Sequence, residues 1–285
     1  MILKFSGIVL LAVSVIGGFI LAGGNPLVLW QPPEYLIIIG GAFAAFMVSN
    51  SLDEIRAAGR AIRNVFFAPK LNDEYYQKLL TLLYQLFELR RRSGVAVLEE
   101  HIDTPGESSL FTESGILENP KLTSFVCDNL RMVTMGKVQT HELEGLLDSE
   151  VDTMEEELMH PSHAIQSVAD ALPGFGIVAA VLGIVVTMGA MGGPVYVIGS
   201  SIAKALVGTF LGILFSYGLV GPLALAIEHN VIKQIQLYNC VKTSIVAMVS
   251  GKSSSVSVDA GRRVLYSDVR PSFDTMEGWL KENRA

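Results

Sequence analysis

Three arginines at 90–92 and two glutamates at 99–100 lie on either side of Gly94. His160 and His163 flank a proline, and Thr187 and Thr209 are hydroxyls inside long apolar runs. These are the side chains whose types could do chemistry. A tetrahedral metal centre needs a set of Cys, His or carboxylate ligands, and the HPSH run offers two histidines with Pro161 between them and no cluster to complete the set. His101, His141 and His229 are scattered, and there is no Gly-x-Ser-x-Gly, no Walker loop and no HExxH. No metal, cofactor or enzymatic centre is expected. Cys127 and Cys240 form no CxxC and read as reduced structural thiols. A net charge of −7 and a pI of about 5.3 leave no basic face for nucleic acid.

Two kinds of chemistry remain: a charged surface and an ion path. Arg90, Arg91 and Arg92 at a helix end complement its dipole, and Glu99 and Glu100 can simply be solvated. The same charges also suit a surface that meets complementary charges on a partner, and their pattern does not separate the two readings. For an ion path the deciding group is a carboxylate or histidine inside the membrane. The apolar runs are read as holding none: Asp170 and Glu228 fall at their boundaries, and Lys204 near one end can snorkel. Thr187 and Thr209 can line a path but cannot carry protons. An ion-conducting chain of this kind must borrow its ionisable carrier from another chain.

The elements that position these groups are membrane helices. The chain has 285 residues, half of them hydrophobic and 17% charged, with a mean hydropathy of +0.44, which suits a polytopic membrane protein with a sizeable water-exposed part. A spanning helix needs about 20 apolar residues. Four stretches qualify, roughly 4–22, 34–51, 171–191 and 200–227; the second is the shortest. The first has a single basic residue, Lys4, and an apolar run too long for a signal peptide, so it reads as a span. Arg56, Arg60 and Arg63 follow the second span and Lys233 the fourth, while the two short connections lack Lys and Arg. Positive-inside bias therefore puts both termini and the middle segment in the cytoplasm.

The fold class expected is all-α: a polytopic membrane protein with four transmembrane helices and a large helical cytoplasmic insertion. The segments are a first hairpin (1–51), the insertion (52–170), a second hairpin (171–227) and a helical tail (228–285). In the insertion, Leu52, Ile55, Ile62 and Phe66 against Arg56, Arg60 and Arg63 predict a helix on the inner membrane surface, ended by Pro69. Asn72 is a candidate N-cap for DEYYQKLLTLLYQLFELRRR, which Ser93-Gly94 closes. A short helix over VAVLEEHID, a TPGESS loop and a helix after Pro120 follow. From about Thr140 a long acidic helix places Leu143, Leu147, Val151, Met154 and Leu158 on one side, and Pro161 is expected to separate it from the third span.

In the third span Gly176, Ala180, Gly183 and Thr187 share a face, and in the fourth Gly208, Gly212 and Ser216 recur every four residues. Small residues at this spacing let membrane helices approach closely. Pro173 and Pro222 fall at similar depth, near the cytoplasmic ends of their spans. Each removes a hydrogen bond, and the pair is either a hinge or a coincidence.

The runs DALPGFGIVAAVLG, AKALVGTFLGILFSYGLVGPLA, RRSGVAVLEEHI and GRRVLYSDVRPSF together resemble the MotA-type stator subunit of the bacterial flagellar motor, over essentially the whole chain. The membrane motifs alone also admit the related ExbB and TolQ proteins, which have three spans; the fourth span, the Arg-to-Glu spacing and the tail favour the flagellar branch. The resemblance implies a bacterial inner-membrane homo-oligomer, a pentamer around a dimer of a MotB-type single-span subunit. That subunit supplies the membrane carboxylate and the peptidoglycan anchor. Ion flux then turns the ring, and cytoplasmic charges engage a rotor switch-complex protein. Matched by position, Pro173 and Pro222 are the functional prolines, Arg91 and Glu99 the rotor-facing charges with Arg90 and Glu100 as neighbours, and Glu150 a secondary charge. Sodium-type relatives tend to carry hydroxyls where this chain has Ala180 and Gly208, so with Thr209 retained the expected ion is H+.

Overall fold

The computed structural model describes residues 2–67, 71, 73–136, 139–189 and 194–282. Among them there is no strand, and four helical stretches are long and apolar enough to cross a membrane. The chain divides into two compact units, Met1–Ala68 with Leu158–Asn230, and Pro69–Glu157 with Val231–Ala285.

The first unit holds α1 (Ile2–Leu21), α2 (Pro32–Ser49), α3 (Leu52–Phe67), the second part of α8 (Thr140–Gly189), α9 (Val195–Phe215) and the start of α10 (Gly221–Val249). Prolines 32 and 33 occupy the first two positions of α2, where the missing N–H costs nothing and the fixed φ suits a helix. The core of the unit is built on Ile38 and Ala42 of α2, Leu172 and Ala179 of α8, and Val207 and Leu211 of α9. Amphipathic α3 buries Ala58 and Val65, with Ile55, Ile62 and Phe66 partly buried beside them and Leu52 and Phe67 exposed. Lys4 Nζ donates to the Val65 carbonyl at 2.9 Å, and the Phe5 and Phe66 rings lie 5.4 Å apart. The expected helix stop at Pro69 and cap at Asn72 lie outside the described residues, as do residues 190–193 of the connection between the last two spans.

The second unit contains α4 (Asp73–Ser93), α5 (Val95–Asp103), α6 (Ser109–Ser114), α7 (Pro120–Thr134), the acidic part of α8, the rest of α10, α11 (Ser254–Arg263) and α12 (Phe273–Glu282). Gly94 ends α4 with φ +88°, a conformation that needs glycine. Asn119 caps α7 by accepting from the Leu122 N–H. Leu79, Leu83 and Leu86 of α4, Leu98 of α5 and Leu143 and Leu147 of α8 are almost wholly buried, and each such side chain contributes about 2 kcal/mol. Phe125 meets Tyr238 edge-on at 5.2 Å. Gly261 is a close-approach point: a Cβ there would run into Ser244 Oγ and the Cys240 carbonyl.

One expectation fails outright. Pro161 does not interrupt the chain; α8 passes through both Pro161 and Pro173 as a single helix of 50 residues. A proline inside a helix removes one bond and clashes with one carbonyl, which a long helix with packed neighbours absorbs locally.

Candidate functional site

The membrane unit brings the small residues of α8 and α9 into direct apposition. A Cβ on Gly176 would sit 2.9 Å from the Gly208 carbonyl, and one on Gly212 would sit 2.7 Å from the Leu172 carbonyl. A Cβ on Gly183 would meet the Ala205 Cβ at 2.8 Å. The two backbones approach only because these positions lack side chains. Thr209 lies on this seam, its Cα 3.4 Å from the Gly176 Cβ position. Thr187 is buried and donates its hydroxyl to the Gly183 carbonyl of its own helix at 2.8 Å. Ala180 is buried beside Gly208.

Gly208 also faces something the sequence reading left out. Its Cβ position is 2.7 Å from Oε2 of Glu34, in the first turn of α2. The spans therefore do hold an acid: Glu34 is 8% exposed, and its Oε2 is buried without a hydrogen-bond partner. The signal that could have found it was local. Glu34 is the first residue of the expected 34–51 span, and because Pro-Pro-Glu is a helix start the helix begins at Pro32 and takes Glu34 inside.

Pro222 lies in the first turn of α10, directly after a π-helical turn over Ser216–Val220. Without an N–H, Pro222 cannot bond to Gly218, and the helix widens ahead of it: the Gly221 N–H reaches back to the Ser216 carbonyl. Buried Ser162 of α8 donates to the Ala224 carbonyl at 2.8 Å, two residues past the proline. Pro173 is partly buried within α8, in the turn that includes Leu172 and Gly176.

In the second unit Arg91 is exposed and pairs with Glu88 at 2.7 Å; Arg92 reaches the same carboxylate at 3.1 Å. Glu88, one turn earlier on α4, was not singled out from sequence, although its i,i+3 and i,i+4 spacing marks it. The hydrogen bond from Arg91 holds the Glu88 carboxyl below the usual carboxylate range. Arg90 turns the other way, towards Met248 Sδ at 2.8 Å. Glu99 is half-buried and Glu100 exposed on α5. Glu150 accepts from Asn129 Nδ2 at 3.0 Å. Asp148, two residues before Glu150 and so on the other side of α8, pairs with Lys242 of α10 at 2.6 Å.

Among the described residues no group of three His, Cys, Asp or Glu side chains is placed to hold a metal ion. Burial pushes the thiols of Cys127 and Cys240 up to about 12, so both are inert at neutral pH.

Comparison with known proteins places this architecture. The family description "Motility protein A N-terminal" matches residues 5–94, and "MotA/TolQ/ExbB proton channel family" matches residues 118–239. The chain is 40% identical to chemotaxis protein LafT of Vibrio parahaemolyticus, over 98% of both proteins. It is 37% identical to motility protein A of Salmonella typhimurium, over 95% of this chain and 92% of that protein. Its fold matches a chain of the C. jejuni MotAB structure with a TM-score of 0.76 at 22% identity, covering 94% of this chain and 97% of that one. A chain of the Bacillus subtilis flagellar MotAB stator complex matches with a TM-score of 0.73, covering 96% and 98%. With its acid-poor apolar helices, glycine seam and interrupted fourth span, the chain belongs to the motility protein A branch of the MotA/TolQ/ExbB proton channel family.

Proposed function

We propose that this chain is the A subunit of the ion-driven flagellar stator, an ion-channel subunit and not an enzyme. It sits in the bacterial inner membrane with both termini in the cytoplasm, as a homo-oligomer, a pentamer around a dimer of a MotB-type subunit. The whole-length likeness to motility protein A and LafT carries this reading. The partner contributes a membrane carboxylate and the anchor. Each unit charge that crosses releases about 2.3 kcal/mol per 100 mV of potential.

In this reading the α8–α9 seam is the moving wall. Pro173 and the π-turn before Pro222 are the points where the backbone carries fewer helical bonds, so they can change conformation as the ion passes. Arg91 and Glu99, with Arg90 and Glu100 beside them and Glu150 on the acidic helix, transmit torque to a rotor protein. The ion is H+: Ala180 and Gly208 offer no hydroxyl to ligate a dehydrated sodium ion.

The test is the rotation speed of tethered cells that lack stators, supplied with this chain and its neighbouring B subunit. Sodium is varied at fixed pH, then the membrane potential is lowered at fixed sodium. Rotation that ignores sodium and tracks the potential is expected. A sodium requirement overturns the proton assignment and leaves the stator reading intact; no rotation from a verified complex overturns the stator reading.

A further inference from the structure

Glu34 has no structural task that the fold reveals. As the third residue of α2 it is placed to cap that helix, yet its Oε2 finds no N–H. No salt bridge among the described residues includes it. The groups around it are apolar or backbone: the Ala179 Cβ lies 3.1 Å and the Ala180 nitrogen 3.3 Å from the same Gly208 Cβ position that Oε2 approaches. Oε1 lies 3.6 Å from the corresponding point on Gly183, where Ala205 closes the other side. The carboxyl thus occupies a gap that exists because two facing helices both carry glycine. A packing seam alone would be filled by an apolar side chain. A lone buried carboxyl oxygen inside a membrane unit marks an ion-handling position by default.

We propose that Glu34 is a proton-binding seat of the ion path supplied by this chain itself, with Gly183 and Gly208 forming the slot that holds its carboxyl. The proposal rests on the stator reading and adds to it a second ionisable group, distinct from the partner's carboxylate. A lone pair of Oε2 takes the proton to give the neutral acid and releases the same proton onward; nothing is oxidised or reduced. The other titratable residues on the elements packed against this slot are few. They are Tyr35 on α2, whose hydroxyl donates to the Leu29 carbonyl at 3.3 Å, and Tyr196 and Lys204 on α9, both exposed. The stretch 174–189 of α8 has none, and Pro26–Leu29 has none. Lys204 stands one turn before Gly208 on α9, where it can favour the arrival of the charged form of Glu34 without pairing with it.

The experiment measures low-load rotation speed against external pH, at fixed internal pH and potential, in cells whose only stator is this chain with its B partner. Wild-type rotation first establishes the stator reading. Glu34→Gln is expected to turn several-fold more slowly and to lose the wild-type dependence on external pH. Unchanged speed and pH profile would overturn the proposal, because glutamine keeps the shape and removes only the ionisable oxygen. Gly208→Ala puts a methyl where Oε2 lies and is expected to reproduce the defect, with the double variant no worse than the more impaired single. Losses that multiply in the double variant would mean that Gly208 only packs, and would also overturn it.

If the wild-type complex does not rotate, or Glu34→Gln does not assemble, infrared difference spectra of the purified complex between acid and neutral pH still decide the matter. The wild type must show a protonating carboxyl band that disappears in Glu34→Gln or, where that variant is lost, shifts in Gly208→Ala. A band indifferent to both changes rules the seat out.

Discussion

Arg91 Nη2 lies 2.7 Å from Glu88 Oε2, one helical turn back along α4, and the same carboxylate holds Arg92. Arg91, which we propose faces the rotor, is therefore held in an intrahelical ion pair in the isolated subunit. Any partner acid must compete with Glu88 for it. Such an exposed pair is weak because water screens it, so the competition is easily won by a correctly placed surface.

Glu88→Gln should free both arginines. Its carboxyl lies below the ordinary value of 4.5, so its contribution to stability is present above that value and is lost as the pH falls through the lower, folded value. The variant is expected to lose that acid-side part of the melting profile. Thermal unfolding of the purified complex between neutral and acid pH measures it.

Charge reversal at Arg91 and Glu99 should stop rotation or slow it severely while leaving assembly and folding unchanged. Stability should barely change, since both residues retain contact with water. Motility in soft agar together with co-purification of the B subunit separates the two effects. Normal motility would favour an ExbB- or TolQ-like energiser that needs no cytoplasmic charge contact.

Pro222→Ala restores an N–H that can reach the Gly218 carbonyl, so the π-turn over Ser216–Val220 should relax to an α-helix. The protein is expected to become more stable by about 1–3 kcal/mol and to rotate poorly. Melting temperature and tethered-cell rotation should thus change in opposite directions. A rise in both would remove Pro222 from the coupling mechanism.

Gly261→Ala should damage the second unit alone. Its methyl would strike Ser244 Oγ and the Cys240 carbonyl, one of them rigid backbone, at a cost of about 1–3 kcal/mol. Limited proteolysis is expected to cut within 231–282 before it cuts the apolar spans.

Much of this protein was written locally. The i,i+4 row Leu143, Leu147, Val151 is buried along α8, Gly94 ends α4 in the left-handed region, and Asn119 caps the helix after Pro120. Four apolar runs and no strand pattern sufficed for the class, because helix period, caps and span length are properties of neighbouring residues. The small-residue spacing in the third and fourth spans is equally local, and it puts these residues on single faces before any partner helix is known.

What Glu34 does was not legible, for a physical reason. A single acid at the first position of an expected span reads as its polar boundary, and nothing near residue 34 in the chain says that Gly183 and Gly208 will leave room for its carboxyl. Pro161 misled in the opposite sense: its local penalty argued for a break, and the length and packing of α8 outweighed it. The sequence by itself determined the helices, their apolar faces and the family. Only the tertiary structure decided which gap receives the buried carboxyl and that α8 continues through Pro161, since the first depends on α2 meeting glycines more than a hundred residues away and the second on the neighbours packed along α8.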